Sequence, residues 1–155
     1  ILRQGFTSVC MINAPLRMQN AQDRESGFKQ AVADAINKPD QVQTIYTALD
    51  AESNVEAFSN LIRSQPNVQS IFCYNDYLAY DCIRYMQSNG LGHVQVVGYG
   101  HEPVSKIHMP NIPTVDQSPY QMGQISARLI LDWIQKGKVP PENSYTSVKL
   151  MHAKY

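Results

Sequence analysis

Residues 71–80 read Ile71-Phe72-Cys73-Tyr74-Asn75-Asp76-Tyr77-Leu78-Ala79-Tyr80, and residues 94–100 read Val94-Gln95-Val96-Val97-Gly98-Tyr99-Gly100. The first run is apolar up to Tyr74, so Ile71 to Tyr74 is expected to be a buried strand. Asn75-Asp76 closes it and opens a helix over 76–88, with Leu78, Ala79, Cys82, Ile83 and Met86 on one face. Gly90 and Gly92 end that helix, and Val94 to Val97 is a second buried strand. Strand, helix and strand in this order, with both strands apolar nearly throughout, indicate a parallel sheet covered on two faces. A polar pair at the C-terminal end of a strand is where an open α/β sheet presents groups to a ligand.

The same rhythm extends outward. Ser8 to Ala14 is a nearly continuous apolar run that Pro15 terminates. Phe28, Ala31, Val32, Ala35 and Ile36 recur at helical spacing and predict a helix over about residues 20–37. Asn37-Lys38-Pro39-Asp40 is a turn, and Val42 to Thr47 the next strand. Asp50 or Ser53 can cap a helix carrying Val55, Phe58, Leu61 and Ile62, which Gln65-Pro66-Asn67 stops. Strands alternate with helices four times, so the expected fold is α/β, a three-layer parallel sheet with helices on both faces and right-handed crossovers. After Gly100 the pattern changes. Residues 101–113 hold three prolines and form a long loop, and Thr114 to Gln117 is a short extended crossing segment. A helix follows with Met122, Ile125, Leu129, Ile130, Trp133 and Ile134 on one face. Gly137 and Pro140-Pro141 end it, and Tyr145 to Met151 is a last strand.

Composition bounds the function. The chain has 155 residues, 43% hydrophobic and 17% charged, with a formal net charge of zero. That suits one globular domain. It argues against a nucleic-acid footprint on this segment, which needs clustered Lys and Arg. No apolar run approaches the roughly 18 residues of a transmembrane helix, and Arg3 and Gln4 interrupt any signal-peptide pattern at the start. Cys10, Cys73 and Cys82 have no metal spacing and read as small apolar core residues in a reducing compartment. His93, His101, His108 and His152 lack helical Glu or His partners, so no zinc pattern exists. There is no nucleophile elbow or phosphate loop, and Gly98-Tyr99-Gly100 is too short for a dinucleotide fingerprint. The expectation is a binding protein without catalytic set, metal or cofactor. Ile-Leu-Arg-Gln-Gly-Phe at the start reads as the end of a helix entering a strand, so the chain is expected to be part of a longer protein.

Several side chains are candidates for ligand contact. Arg24 lies in the first turn of the first helix, near the C-terminal edge of the preceding strand. There it can grip vicinal hydroxyls, a carboxylate or a phosphate bidentately, or simply pair with Asp23 or Glu25. Asp76 caps the next helix, lines a cleft, or does both, and the amide of Asn75 offers a donor and an acceptor together. Tyr77, among Tyr74, Tyr77 and Tyr80, is the candidate for stacking on a ligand ring. Asn13 either faces the cleft side or makes an Asx-type cap before Pro15.

Four segments at compatible spacings resemble the lactose-repressor family of transcriptional regulators and their relatives, the periplasmic sugar-binding proteins. They are Arg24-Glu25-Ser26-Gly27-Phe28, Asn75-Asp76-Tyr77-Leu78-Ala79, Val96-Val97-Gly98-Tyr99-Gly100 and Thr114-Val115-Asp116-Gln117. The resemblance implies a periplasmic-binding-protein-like lobe of type 1. Residues 1–117 would form the C-terminal lobe of a two-lobed core. Residues 118–137 would be a helix packed on an N-terminal lobe or a dimer partner, and 138–155 a final strand returning to the lobe. The implied function is effector binding in a bacterial repressor. A sugar-like molecule in an interlobe cleft would be held by Arg24, Asn75, Asp76 and Gln117 or its neighbour Asp116, with Tyr77 stacking. The implied protein is a cytoplasmic homodimer that meets DNA only through a head outside this chain and does not touch a membrane. The alternative is a periplasmic solute-binding protein serving a transporter or receptor. A third reading is an α/β response or interaction domain with no small ligand. One departure matters. Gly100 stands where the family places an Asp that holds ligand hydroxyls, so either His101 or Glu102 substitutes for it or the ligand is not an ordinary sugar.

Overall fold

β1 (Val9–Asn13) is buried at all five positions, which makes it an inner strand of its sheet. The fold is described here from a computed structural model covering residues 6–35, 42–103, 112–137, 139 and 146–151. α1 (Gln19–Ala35) follows β1, then β2 (Gln43–Tyr46), α2 (Ala51–Ser64), β3 (Ser70–Cys73), α3 (Asp76–Ser88) and β4 (Gln95–Val97). These four strands form one parallel sheet in the order β2-β1-β3-β4. Cys10 pairs with Gln43 on one side and with Ile71 on the other.

Alternation along the strands divides the interior in two. Cys10, Ile12, Ile71, Cys73 and Val96 pack with Phe58 and Leu61 of α2 and Leu78, Cys82 and Met86 of α3. Val9, Met11 and Val97, of opposite parity, are buried outside that cluster. On their side Phe28 of α1 stacks on Phe72, ring centroids 5.9 Å apart. The expected parallel α/β sheet with helices on both faces is therefore observed.

The helices start where local chemistry allows. Asp50 caps α2 by accepting the Ser53 N–H at 2.8 Å, satisfying one of the donors a helix start leaves over. Beyond β4 the chain stays extended. Gly98 and Gly100 donate to the carbonyls of Pro113 and Val115, each at 2.9 Å, and Gly100 bridges Asp116 in parallel. This attaches β5 (Thr114–Asp116) beside the exit of β4. β6 (Lys149–Met151) then pairs antiparallel with β5.

The last strand is shorter than the expected Tyr145–Met151. Residues 146–148 carry no ladder, and Tyr145 lies outside the described residues. Outside them too are the start of the chain through Gly5, the end of the first helix and its turn, the loop over 104–111, and Pro140-Pro141. α4 (Pro119–Lys136) ends at Gly137 in the left-handed region and has no buried residue anywhere along its length. No helix among the described residues is long and apolar enough to cross a membrane.

Candidate functional site

The chemistry collects at the C-terminal ends of β1, β3 and the β4 exit, where the carboxyl edge of a parallel sheet opens. Asn75 is the N-cap of α3, its Oδ1 accepting the Leu78 N–H at 2.9 Å. Its Nδ2 amide has no hydrogen-bond partner among the described residues. Both Asn and Asp are good caps, and the structure puts the cap one residue earlier than the Asp76 expectation.

Asp76 is instead fully buried. Its Oδ1 accepts the Thr114 hydroxyl at 2.6 Å and its Oδ2 the Glu102 N–H at 2.8 Å, while its own N–H donates to Tyr99 O at 3.1 Å. One carboxylate thus ties the α3 start to the β4 exit and to β5. Both oxygens face protein donors, which makes Asp76 a positioning residue at the edge of the site. The approach is so close that a Cβ on Gly98 would collide with Asp76 Oδ1. Only glycine fits there.

Arg24 pairs with neither Asp23 nor Glu25. Its Nη1 donates to Tyr74 O at 2.8 Å. The guanidinium carbon sits 4.4 Å from the Tyr74 ring centroid and 4.0 Å from that of Tyr99. Two aromatic faces thus hold a cation whose remaining N–H groups are not taken by any carboxylate among the described residues. The Tyr74 hydroxyl is itself held, accepting from Asn20 Nδ2 at 2.9 Å. Tyr99 was not singled out from the sequence; the available signal was an aromatic directly after the strand-ending Gly98.

Glu25 turns inward and is nearly buried. Lys29 Nζ pairs with it at 2.5 Å and the Tyr46 hydroxyl donates to its carboxylate at 2.9 Å. Burial raises its pKa, but hydrogen bonds from Lys29 and Tyr46, the Lys29 charge and a weaker bond from Asn13 hold it below the usual value. Asn13 is fully buried in the same network. Its Nδ2 donates to Ala21 O at 3.0 Å and its Oδ1 accepts the Ala14 N–H at 2.9 Å. The Nδ2 end of the amide joins β1 to α1, and the Oδ1 end holds the next residue of the chain.

Tyr77 is 52% exposed at the first turn of α3 and meets Tyr80 edge-on at 6.4 Å. His101 has a left-handed backbone, φ 53°, and its N–H donates to Thr114 Oγ1 at 3.2 Å. Its buried Nδ1 has no hydrogen-bond partner among the described residues. Gln117 is half-buried just past β5. Asp116 instead accepts the Ser118 N–H at 2.7 Å, which leaves Gln117 as the polar side chain of the crossing segment. Among the described residues no three His, Cys, Asp or Glu side chains are grouped to hold a metal ion.

Residues 2–138 match the family model described as a periplasmic binding protein domain. The chain belongs to this family. A curated relative is the HTH-type transcriptional repressor PurR of Actinobacillus pleuropneumoniae. It is 26% identical over 142 residues, which is 89% of this chain and 42% of the relative. A complex of the transcriptional regulator CelR with cellobiose superposes with a TM-score of 0.81 at 25% identity, covering 98% of this chain and 47% of that one. An ABC-transporter periplasmic solute-binding protein from Actinobacillus succinogenes with bound D-allose gives 0.79 at 22% identity, covering 96% and 52%, a likeness of fold. The relatives of this periplasmic-binding-protein domain are regulators and binding proteins, repressors of the lactose-repressor family among them. The chain spans less than half the length of the repressor it matches.

Proposed function

We propose that this chain is the effector-binding part of a bacterial transcriptional repressor, taking a sugar or related small polar molecule in a cleft between two lobes. The observation that carries it is Arg24, clamped between Tyr99 and Tyr74, which is next in sequence to Asn75; the Asn75 Nδ2 is unpartnered among the described residues. Clamped in this way, a guanidinium loses little entropy on gripping hydroxyls, and with the Asn75 Nδ2 it supplies donors to the hydroxyl oxygens of a polyol. Tyr77 offers an exposed ring, and the half-buried Gln117 of the crossing segment would add a polar contact. Residues 1–117 form the C-terminal lobe; 118–137 pack on the other lobe or on a dimer partner, and 138–155 return to the first lobe. Ligand-driven closure shifts a homodimer between two states, and with it a DNA-reading head outside this chain. The protein acts in the cytoplasm and is not an enzyme; three buried free thiols suit a reducing compartment. The second reading, a periplasmic solute-binding protein, draws on the likeness to the D-allose-bound one.

The test is thermal stabilisation of the intact protein by cellobiose and by D-allose, in the wild type and in Arg24→Ala combined with Asn75→Asp. Aspartate keeps the helix cap and removes the amide donor. Stabilisation of the wild type that disappears in the double variant is the expected result. Undiminished stabilisation in the variant would remove the cleft assignment.

A further inference from the structure

Tyr74 is gripped at its N–H, its carbonyl and its hydroxyl. The N–H donates to Ile12 O at 2.9 Å, which carries the β1–β3 pairing one residue past the end of β3. The carbonyl accepts Arg24 Nη1 at 2.8 Å, and the hydroxyl accepts Asn20 Nδ2 at 2.9 Å. Asn20 and Arg24 are an i,i+4 pair at the start of α1, a spacing that puts both side chains on one face of a helix. That face holds a single tyrosine at both ends, the backbone with one side chain and the phenol with the other.

Tyr74 is 5% exposed, whereas Asn20 stands in solvent. Inside a helix asparagine is a poorer residue than alanine, so helix formation does not account for Asn20. What Asn20 holds is the far end of the ring whose centroid lies 4.4 Å from the Arg24 guanidinium carbon. The Tyr99 ring, 4.0 Å away on the same cation, has no such anchor for its hydroxyl among the described residues. Tyr74 is therefore the fixed wall of the clamp.

We propose that Asn20 is a positioning residue of the ligand site: by anchoring the Tyr74 hydroxyl it fixes the ring on which Arg24 lies, and it sets ligand affinity without touching the ligand. The proposal rests on the ligand-site reading. An unrestrained arginine gives up rotamer freedom when it grips a hydroxyl, and one already laid on a fixed ring has less to give up. Releasing the ring hands that loss back to the binding step.

The experiment is calorimetric titration of the intact protein with cellobiose and with D-allose, in wild type, N20A, Y74F, R24A and the double variants N20A/Y74F and N20A/R24A. The thermal midpoint of each unliganded protein is measured alongside. Y74F keeps the ring and removes only the hydroxyl. The expected result is a sugar bound by the wild type and bound about 2- to 10-fold more weakly by N20A and by Y74F, the range for one lost hydrogen bond. N20A/Y74F should bind no worse than either single variant, and N20A should cost nothing further once Arg24 is gone. The unliganded midpoint of N20A should stay at the wild-type value. A residue that only held the fold would lower that midpoint and leave affinity alone, and a residue that touched the ligand would cost affinity in R24A as well. Either result overturns the proposal, as does wild-type affinity in N20A, and each leaves the site standing. If R24A binds as well as the wild type, or neither sugar binds, the ligand-site reading falls and the proposal with it.

Discussion

At the residue scale, Gly98 shows what the Asp76 hub demands. Any Cβ there enters the carboxylate, so Gly98→Ala should lower unfolding free energy by about 1–3 kcal/mol, the usual cost of overpacking a core, read as a shift in denaturant midpoint. The Glu25 network should show in acid. Its folded pKa lies below the ordinary 4.5, so the native state binds fewer protons than the unfolded one. The stabilisation is present above pH about 4.5 and is lost as pH falls through the folded pKa. Glu25→Gln should flatten that part of the stability curve, and an unchanged acid slope would show the network to be inert. Tyr46 titrates the other way. Burial beside Glu25, then the hydrogen bond to it and its charge, push the phenol from 10.0 to about 12. The native state keeps a proton the unfolded chain gives up, so stability should fall between those values and fall less in Tyr46→Phe. Arg24 and Asn75 could be singled out as candidates because each sits in a short pattern at a strand-to-helix turn. The role of Asp76 was not, because its partner Thr114 lies 38 residues away, beyond any local pattern.

At the level of elements, the parallel sheet was readable because inner strands are apolar on both faces. β1 is buried at every residue, and no helix period competes with that. β6 was placed too long because it is an edge strand of three residues, exposed at Lys149 and Leu150, where neither alternation nor continuous burial leaves a trace. α3 offers a clean separation of fold from ligand chemistry. Asn75→Ala should cost about 1 kcal/mol through the lost cap, whereas Asn75→Asp should keep most of that stability and still lose the amide donor. Chemical denaturation of the two variants checks the pair; equal losses would mean that the cap contributes nothing. The three thiols form a further element-level feature. Burial, with the neighbouring Cys82 adding to it, raises Cys10 to about 12, and Cys73 is raised by burial and by its contact with Cys82. Since the thiolate is the reactive form, a disulfide-exchange reagent should label these residues only as fast as the chain opens.

Across the whole molecule, the sequence pattern of α4 was right and its surroundings were not deducible from it. An apolar stripe says that something must cover a helix but not what. Ile134 is 74% exposed and Trp133 55%. Trp133 is the single tryptophan, so its emission should be that of a solvated indole in this 155-residue chain and should shift to the blue in a longer protein whose other lobe covers it. The order of the sheet has a consequence for biosynthesis. β1 lies between β2 and β3, yet comes first along the chain, and its Cys10 must find both Gln43 and Ile71. As the ribosome delivers the polypeptide from its amino end, the strand most in need of cover emerges with neither neighbour made. Ile12 and Met11 then wait through two helices' worth of translation, the interval in which a nascent chain of this topology most needs a chaperone.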